Sequence, residues 1–238
     1  MPRRRQSLDT LRGITLLSMM TYHACWDLVY LFGKDWSWYT AFPAHLWQQS
    51  ICWTFILLSG YCFHLGRRRL RRGLLALAGS GAVSIAGLLS GNPIWWGVLT
   101  LLGAAQLVTI PLDRVFRRIP ARAGLAGCFT LFLLSRDVNR GYLGFEGLRA
   151  LPLPTAWYRG FWTAFAGFPG PGFHSADYFS LVPWLFLFWT GWFLFRLQPE
   201  ETGRELRLPG VTALGRHSLL AYLLHQPVIY GTLWLVMA

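Results

Sequence analysis

Apolar runs recur along the whole chain, roughly at residues 9–31, 44–65, 73–90, 94–112, 119–136, 177–196 and 214–237. A helix rising about 1.5 Å per residue needs about 20 residues to cross about 30 Å of hydrocarbon. The pattern therefore predicts an all-α integral membrane protein, a bundle of about seven transmembrane helices forming one domain over residues 1–238. One long connection, residues 137–176, separates the fifth and sixth predicted spans. It carries Gly167-Phe-Pro-Gly-Pro-Gly-Phe-His174, which predicts turns rather than a regular element. Its Trp157, Tyr158, Phe161 and Trp162 suit a membrane interface, or a lid or platform for an acceptor. There is no internal repeat and no low-complexity tract.

Composition agrees with this pattern. At 54% hydrophobic and 13% charged, the chain is too apolar for an ordinary soluble domain. Charge then orients the bundle. Of the 22 basic residues, 17 fall on the N-terminal side of the predicted spans: Arg3, Arg4, Arg5, Arg12, the run from Arg67 to Arg72, Arg114, Arg117, Arg118, Arg122, Arg196, Arg204, Arg207 and Arg216. That side also holds the acids Asp9, Asp113, Glu200, Glu201 and Glu205, so the whole net charge of +12 lies there. The positive-inside rule predicts a cytoplasmic N-terminus and an external C-terminus, in a multi-pass protein of the inner (plasma) membrane. The basic loops suit topology determination and anionic lipid, and some of them suit a polyanionic cosubstrate. They are short links between spans, so no nucleic-acid module is expected. The four cysteines (Cys25, Cys52, Cys62 and Cys128) lie in apolar segments without CxxC spacing and are expected as buried thiols. The basic, apolar N-terminus resembles a signal peptide, but its stripe of ionisable groups and the lack of a small-residue cleavage site predict that it is retained.

Candidate chemistry comes from polar groups inside the spans. The first carries Asp9, Arg12, His23 and Asp27 on one helical stripe. Each such group costs about 2.5–3.5 kcal/mol at mid-bilayer on insertion scales, which makes it a functional candidate by default. His23 lies about 21 Å along the axis from Asp9. With Asp27 one turn on, its imidazole suits a general base whose tautomer the carboxylate fixes. The last span places Ser218, Tyr222 and His225 on one face, followed by Gln226 and by Pro227, which predicts a kink. The second span aligns His45, Gln49, Cys52 and Ser59. His64 and His217 fall at the cytoplasmic edge. Ser175 and Asp177 read as the start of the sixth helix, Ser175 as its N-cap and Asp177 in its first turn. No GxSxG, HExxH, P-loop or dinucleotide fingerprint is present, and no ligand spacing supports a metal.

Ser7-Leu-Asp-Thr-Leu-Arg-Gly13 followed by His23-Ala-Cys-Trp-Asp-Leu28 resembles the opening of bacterial heparan-alpha-glucosaminide N-acetyltransferase-like membrane proteins. Phe55-Ile-Leu-Leu-Ser-Gly-Tyr61, Ser175-Ala-Asp-Tyr-Phe179 with Pro183-Trp184, and Gly215-Arg-His-Ser-Leu-Leu-Ala-Tyr-Leu-Leu-His225 fit the same family. The spacing of Arg12 and His23 also resembles the family 3 membrane acyltransferases, which modify cell-surface glycans. The resemblance implies an acyltransferase that takes an acyl group, acetyl above all, from cytoplasmic acetyl-CoA as cosubstrate to a hydroxyl or amine of a sugar or glycan on the far side. His23 and His225 match the family's first-helix and last-helix histidines. His45 is the nearest counterpart of the animal enzyme's outer-loop catalytic histidine.

On this reading His23, oriented by Asp27, deprotonates the acceptor. His225, with Gln226 or Tyr222, holds the thioester or its oxyanion. Arg12 and the cytoplasmic arginines hold the CoA phosphates, and Asp9, His45, Asp177 and Ser218 join the substrate-binding set. Direct transfer and an acetyl-histidine intermediate both stay open, as does a homodimer. Two other classes compete: a small-molecule or lipid transporter or flippase without acyl transfer, and a b-type cytochrome with two membrane histidines as haem ligands.

Overall fold

The computed structural model describes residues 5–198 and 205–237. Arg3, Arg4, Glu200, Glu201 and Arg204, counted in the charge balance, lie outside the described residues. In chain order the elements are α1 (Gln6–Tyr30), α2 (Phe42–Tyr61), α3 (Arg69–Leu89), α4 (Val98–Phe116), α5 (Ala121–Leu134), β1 (Tyr142–Phe145), β2 (Leu148–Pro152), α6 (Phe161–Ala166), α7 (Leu181–Leu197), α8 (Pro209–Arg216) and α9 (Ser218–Met237). Among the described residues α3, α4 and α9 are long and apolar enough to cross a membrane, and α7 is a shorter apolar helix. Helices α1 and α2 have 25 and 20 residues, but polar positions dilute their apolar character. The 14 residues of α5 rise only about 21 Å.

The chain divides into two compact units, Met1–Phe55 with Glu201–Ala238, and Ile56–Glu200. In the first, α1 packs against α8 and α9. The expected single last span is two helices. Pro209 opens α8 at its first turn, where a missing N–H costs nothing. Helix α8 then ends at His217, whose N–H bonds back to Ala213 and Leu214 carbonyls, and α9 starts afresh at Ser218 and runs unbroken through Pro227. Two glycines allow α8 to touch α1 backbone to backbone. A Cβ on Gly215 would lie 1.8 Å from the Asp9 carbonyl oxygen, and one on Gly13 would lie 2.0 Å from that of Val211. Beside this contact Thr10 Oγ1 and Thr212 Oγ1 share a buried hydrogen bond of 2.7 Å. Leu16, Met19 and Ile51 form the core of this unit, with Trp47, Phe55, Leu214 and Tyr222 packed around them.

The second unit corrects two expectations. Residues 137–176 contain a β-hairpin, β1 against β2 in antiparallel register, as well as α6. Its two-residue turn puts Glu146 at φ 47° and Gly147 at φ 95°, the positive pair that a tight hairpin needs. Asp137 Oδ2 accepts the Gly147 N–H at 2.7 Å and holds the turn. The second correction concerns Asp177. It does not open the sixth span, because α7 begins at Leu181 after Ser180. Instead Asp177 Oδ2 accepts the N–H of Val98, the first residue of α4, at 3.3 Å, and Ser175 Oγ bonds both N–H and carbonyl of Trp95. The carboxylate therefore caps α4 across 79 residues of sequence. Of the cysteines, only Cys62 is buried and the other three are half-buried, none of them in a disulfide.

A polar knot ties α3, α4 and α7 together. Asp113 accepts from Arg69 Nη1 (3.2 Å), from Arg117 Nε and Nη2 (3.2 and 3.1 Å) and from Trp192 Nε1 (3.2 Å). Removing the carboxylate leaves a buried indole N–H and a half-buried guanidinium without their partner. Asp113→Ala is expected to lower the Tm of the detergent-solubilised protein by about 5–10 °C. Arg117→Ala is expected to change it far less, since that side chain is 57% exposed. Equal shifts in the two variants would contradict this account.

Candidate functional site

Helices α1 and α9 bring several polar groups of the first unit together. His23 and Asp27 are one turn apart on α1, so they share a face. Tyr222, His225 and Gln226 fall within one turn of α9. The rings of His23 and His225 meet edge to face, with centroids 4.8 Å apart. Gln226 Nε2 donates to Asp27 Oδ1 at 2.6 Å. The Asp27 side of the site is fully buried, at 0% exposure, and His225 is 6% exposed. His23 is half-buried.

Hydrogen bonding assigns the donor and acceptor ends of His225 and Gln226. His225 Nδ1 donates to the Tyr222 carbonyl, so in the neutral ring Nε2 carries the lone pair. That nitrogen is buried without a partner among the described residues. Gln226 turns its NH2 towards the carboxylate, which leaves its carbonyl oxygen as the free end. With the ring neutral, His225 Nε2 and the Gln226 carbonyl oxygen are both acceptors. Asp27 bonds Gln226 where spacing on α1 paired it with His23. The spacing of α1 alone hides that contact, because Gln226 lies 199 residues away.

The other expected residues sit elsewhere. Asp9 is buried and pairs with Arg12 Nη1 at 3.2 Å and with Arg216 Nε at 3.6 Å, about 21 Å along α1 from His23. His45 lies at the start of α2 with its ring stacked on Phe42, centroids 6.4 Å apart. Ser218 begins α9, about two turns before His225. Asp177 belongs to the second unit as the cap of α4. Gln49 accepts from Trp53 Nε1 at 3.1 Å, and His64 Nε2 bonds the Trp192 carbonyl at 3.2 Å. Among the described residues, no group of three His, Cys, Asp or Glu side chains is placed to hold a metal ion. Arg67, Arg68 and Arg71 are exposed and fit the phosphates of a nucleotide in charge and donor count.

The chain is mostly helical, three of its described helices are long and apolar enough to cross a membrane, which is consistent with a membrane protein, and α1 and α9 bring two histidine rings together. The chain matches the family described as Heparan-alpha-glucosaminide N-acetyltransferase, catalytic, over residues 4–227, and it belongs to that family. Membership supports an acetyltransferase of the N-acetyltransferase kind. No curated protein and no solved structure matches the chain.

Proposed function

We propose that this protein is a single-domain transmembrane acyltransferase that moves an acetyl group from cytoplasmic acetyl-CoA to an acceptor on an extracytoplasmic sugar or glycan. The observation that carries the reading is the His23–His225 pair, 4.8 Å apart in a buried site of a chain matched to this family over residues 4–227. The bundle crosses the membrane about seven times with its N-terminus in the cytoplasm. Charge asymmetry supports that orientation, because short Arg-rich loops are retained inside.

Family membership and the site divide the work between them. The arginine-rich loops attract the CoA phosphates, and the histidine pair handles the acceptor's proton. His225 Nε2 offers the basic lone pair, held in its tautomer by the Tyr222 carbonyl. His23 stands beside it to take the proton onwards. The acceptor atom then bonds to the acyl carbon, the C–S bond breaks, and CoA leaves as the thiolate. His225 takes the part of the base, because in the neutral ring its buried Nε2 is an acceptor. Asp27 and Gln226 act on the acceptor side of the reaction.

Thermal-shift measurement of the purified, detergent-solubilised protein tests this directly. Acetyl-CoA is expected to stabilise it saturably and beyond an ATP control, by RT ln(1 + [L]/Kd). A folded protein that acetyl-CoA does not shift would overturn the reading and favour a transporter.

A further inference from the structure

Where the hairpin meets the ends of α5 and α7, the second unit holds a groove of about 350 Å³. Leu143 of β1, Leu153, Trp157, Phe168 and Phe186 of α7 form much of its wall. The lining holds one hydroxyl, that of Ser135, which donates to the Leu131 carbonyl of its own helix. Water would find no partner there, so the groove suits an apolar occupant. Its walls are held in place from outside the groove. Tyr158 Oη donates to the Val138 carbonyl at 2.6 Å, and Asp137 holds the hairpin turn. Trp157 and Phe168 meet edge to face, with centroids 5.3 Å apart. The mouth is apolar too. Leu131, Leu134 and Trp157 line the groove and are each about half exposed, and Leu148 and Leu151 of β2 are exposed beside them in sequence order along the hairpin. Exposed leucine and tryptophan at the end of apolar helices suit the border between hydrocarbon and headgroups.

Charge around the groove selects among apolar occupants. Arg136 pairs with Glu146 and Arg140 with Asp137, each at 3.3 Å. Arg149 and Arg159 are exposed and pair with no acid among the described residues. Both lie a short step along the chain from the lining. Arg149 stands opposite Gly144 in the hairpin, next to Leu143, and the Arg159 N–H bonds the Trp157 carbonyl at 3.2 Å. The Arg149 guanidinium lies over the Tyr142 ring, 5.0 Å from its centroid, which holds it at the hairpin and leaves its N–H donors for an anion. We propose that this groove binds an anionic phospholipid, with one hydrocarbon chain between the hairpin, α5 and α7 and the phosphate drawn to Arg149 and Arg159. A neutral chain fills the groove but leaves both guanidiniums without a partner. A phosphate at the head of such a chain satisfies both features. The site belongs to the second unit alone and is independent of the acyl-transfer chemistry.

Photolabelling of the full-length protein in nanodiscs tests the site. The probes are phosphatidylglycerol and phosphatidylcholine, each carrying a diazirine on the same chain, and the labelled peptides are mapped by mass spectrometry. Phosphatidylglycerol is expected to label peptides of the groove about tenfold more than phosphatidylcholine at equal concentration. Unlabelled phosphatidylglycerol should compete that labelling away. Arg149→Gln combined with Arg159→Gln changes only exposed side chains and is expected to bring phosphatidylglycerol down to the phosphatidylcholine level without altering the Tm. Leu143→Trp fills the groove and is expected to reduce labelling by both lipids; the double arginine variant keeps the test decisive should Leu143→Trp fail to fold.

Equal labelling of the groove by the two lipids would overturn the anionic site, as would an undiminished preference for phosphatidylglycerol in the double arginine variant. Labels spread over the exposed faces of α3, α4 and α9 with no enrichment between the hairpin, α5 and α7 would show that lipid merely surrounds the protein. Groove peptides that stay unlabelled while a second copy of the chain is cross-linked to them would assign the groove to self-association and overturn the lipid site.

Discussion

Replacing His225 with asparagine is expected to lower acetyl transfer by about 10²–10⁴-fold, the range for loss of a positioned acid–base group. Asparagine retains a donor near the place of Nδ1, so the bond to the Tyr222 carbonyl can persist and α9 keeps its local partner. What disappears is the basic lone pair at Nε2. His225→Ala removes both and should fall at least as far. His23→Ala is expected to give a comparable loss, because the ring at 4.8 Å then has no neighbour to pass its proton to. All three variants should still be stabilised by acetyl-CoA, which separates a chemical defect from misfolding. Transfer near the wild-type rate in a folded His225→Asn protein would show that the proton leaves by another route.

The polar stripes of α1 and α9 were legible because ionisable groups at helical spacing stand out in apolar runs. His23, Asp27 and His225 stand out that way, Gln226 only as the residue that follows His225, and the structure brings all four together. Their pairing was not legible, since spacing along one helix reveals only neighbours on that helix. The bond from Gln226 to Asp27 depends on how α1 meets α9. Asp177 shows the same limit at a helix end. A carboxylate just before an apolar run fits the first turn of that run, yet this one caps a helix 79 residues earlier. The hairpin is hidden for a different reason. Glu146-Gly147 between Phe145 and Leu148 is a two-residue turn signal, weaker than Asn-Gly, and the glycines and prolines around it obscured it. The break between α8 and α9 carries no proline. It follows Gly215, whose own reason for being glycine lies across the interface rather than in the helix.

That interface sets the second large effect. Gly215→Leu is expected to prevent α8 from docking on α1 and to leave the protein aggregated or unrecoverable in detergent. Even a single Cβ there would lie 1.8 Å from the Asp9 carbonyl oxygen and 2.8 Å from the Gly13 nitrogen. Both are backbone atoms of a continuous helix, so no rotamer change makes room. Overpacking a core usually costs about 1–3 kcal/mol because side chains yield, and here none is available to yield. Small residues at such a crossing let helices approach closely within a membrane. Separation of α8 from α1 would also undo the Thr10–Thr212 bond and the Arg216–Asp9 ion pair. Gly231→Ala is the matched control, since its added Cβ meets nothing within 4 Å. In that variant only intrinsic helix propensity changes, by less than about 1 kcal/mol in the stabilising direction. A Gly215→Leu protein that elutes as a single species with the Tm of the Gly231→Ala control would show that α1 and α8 do not meet backbone to backbone.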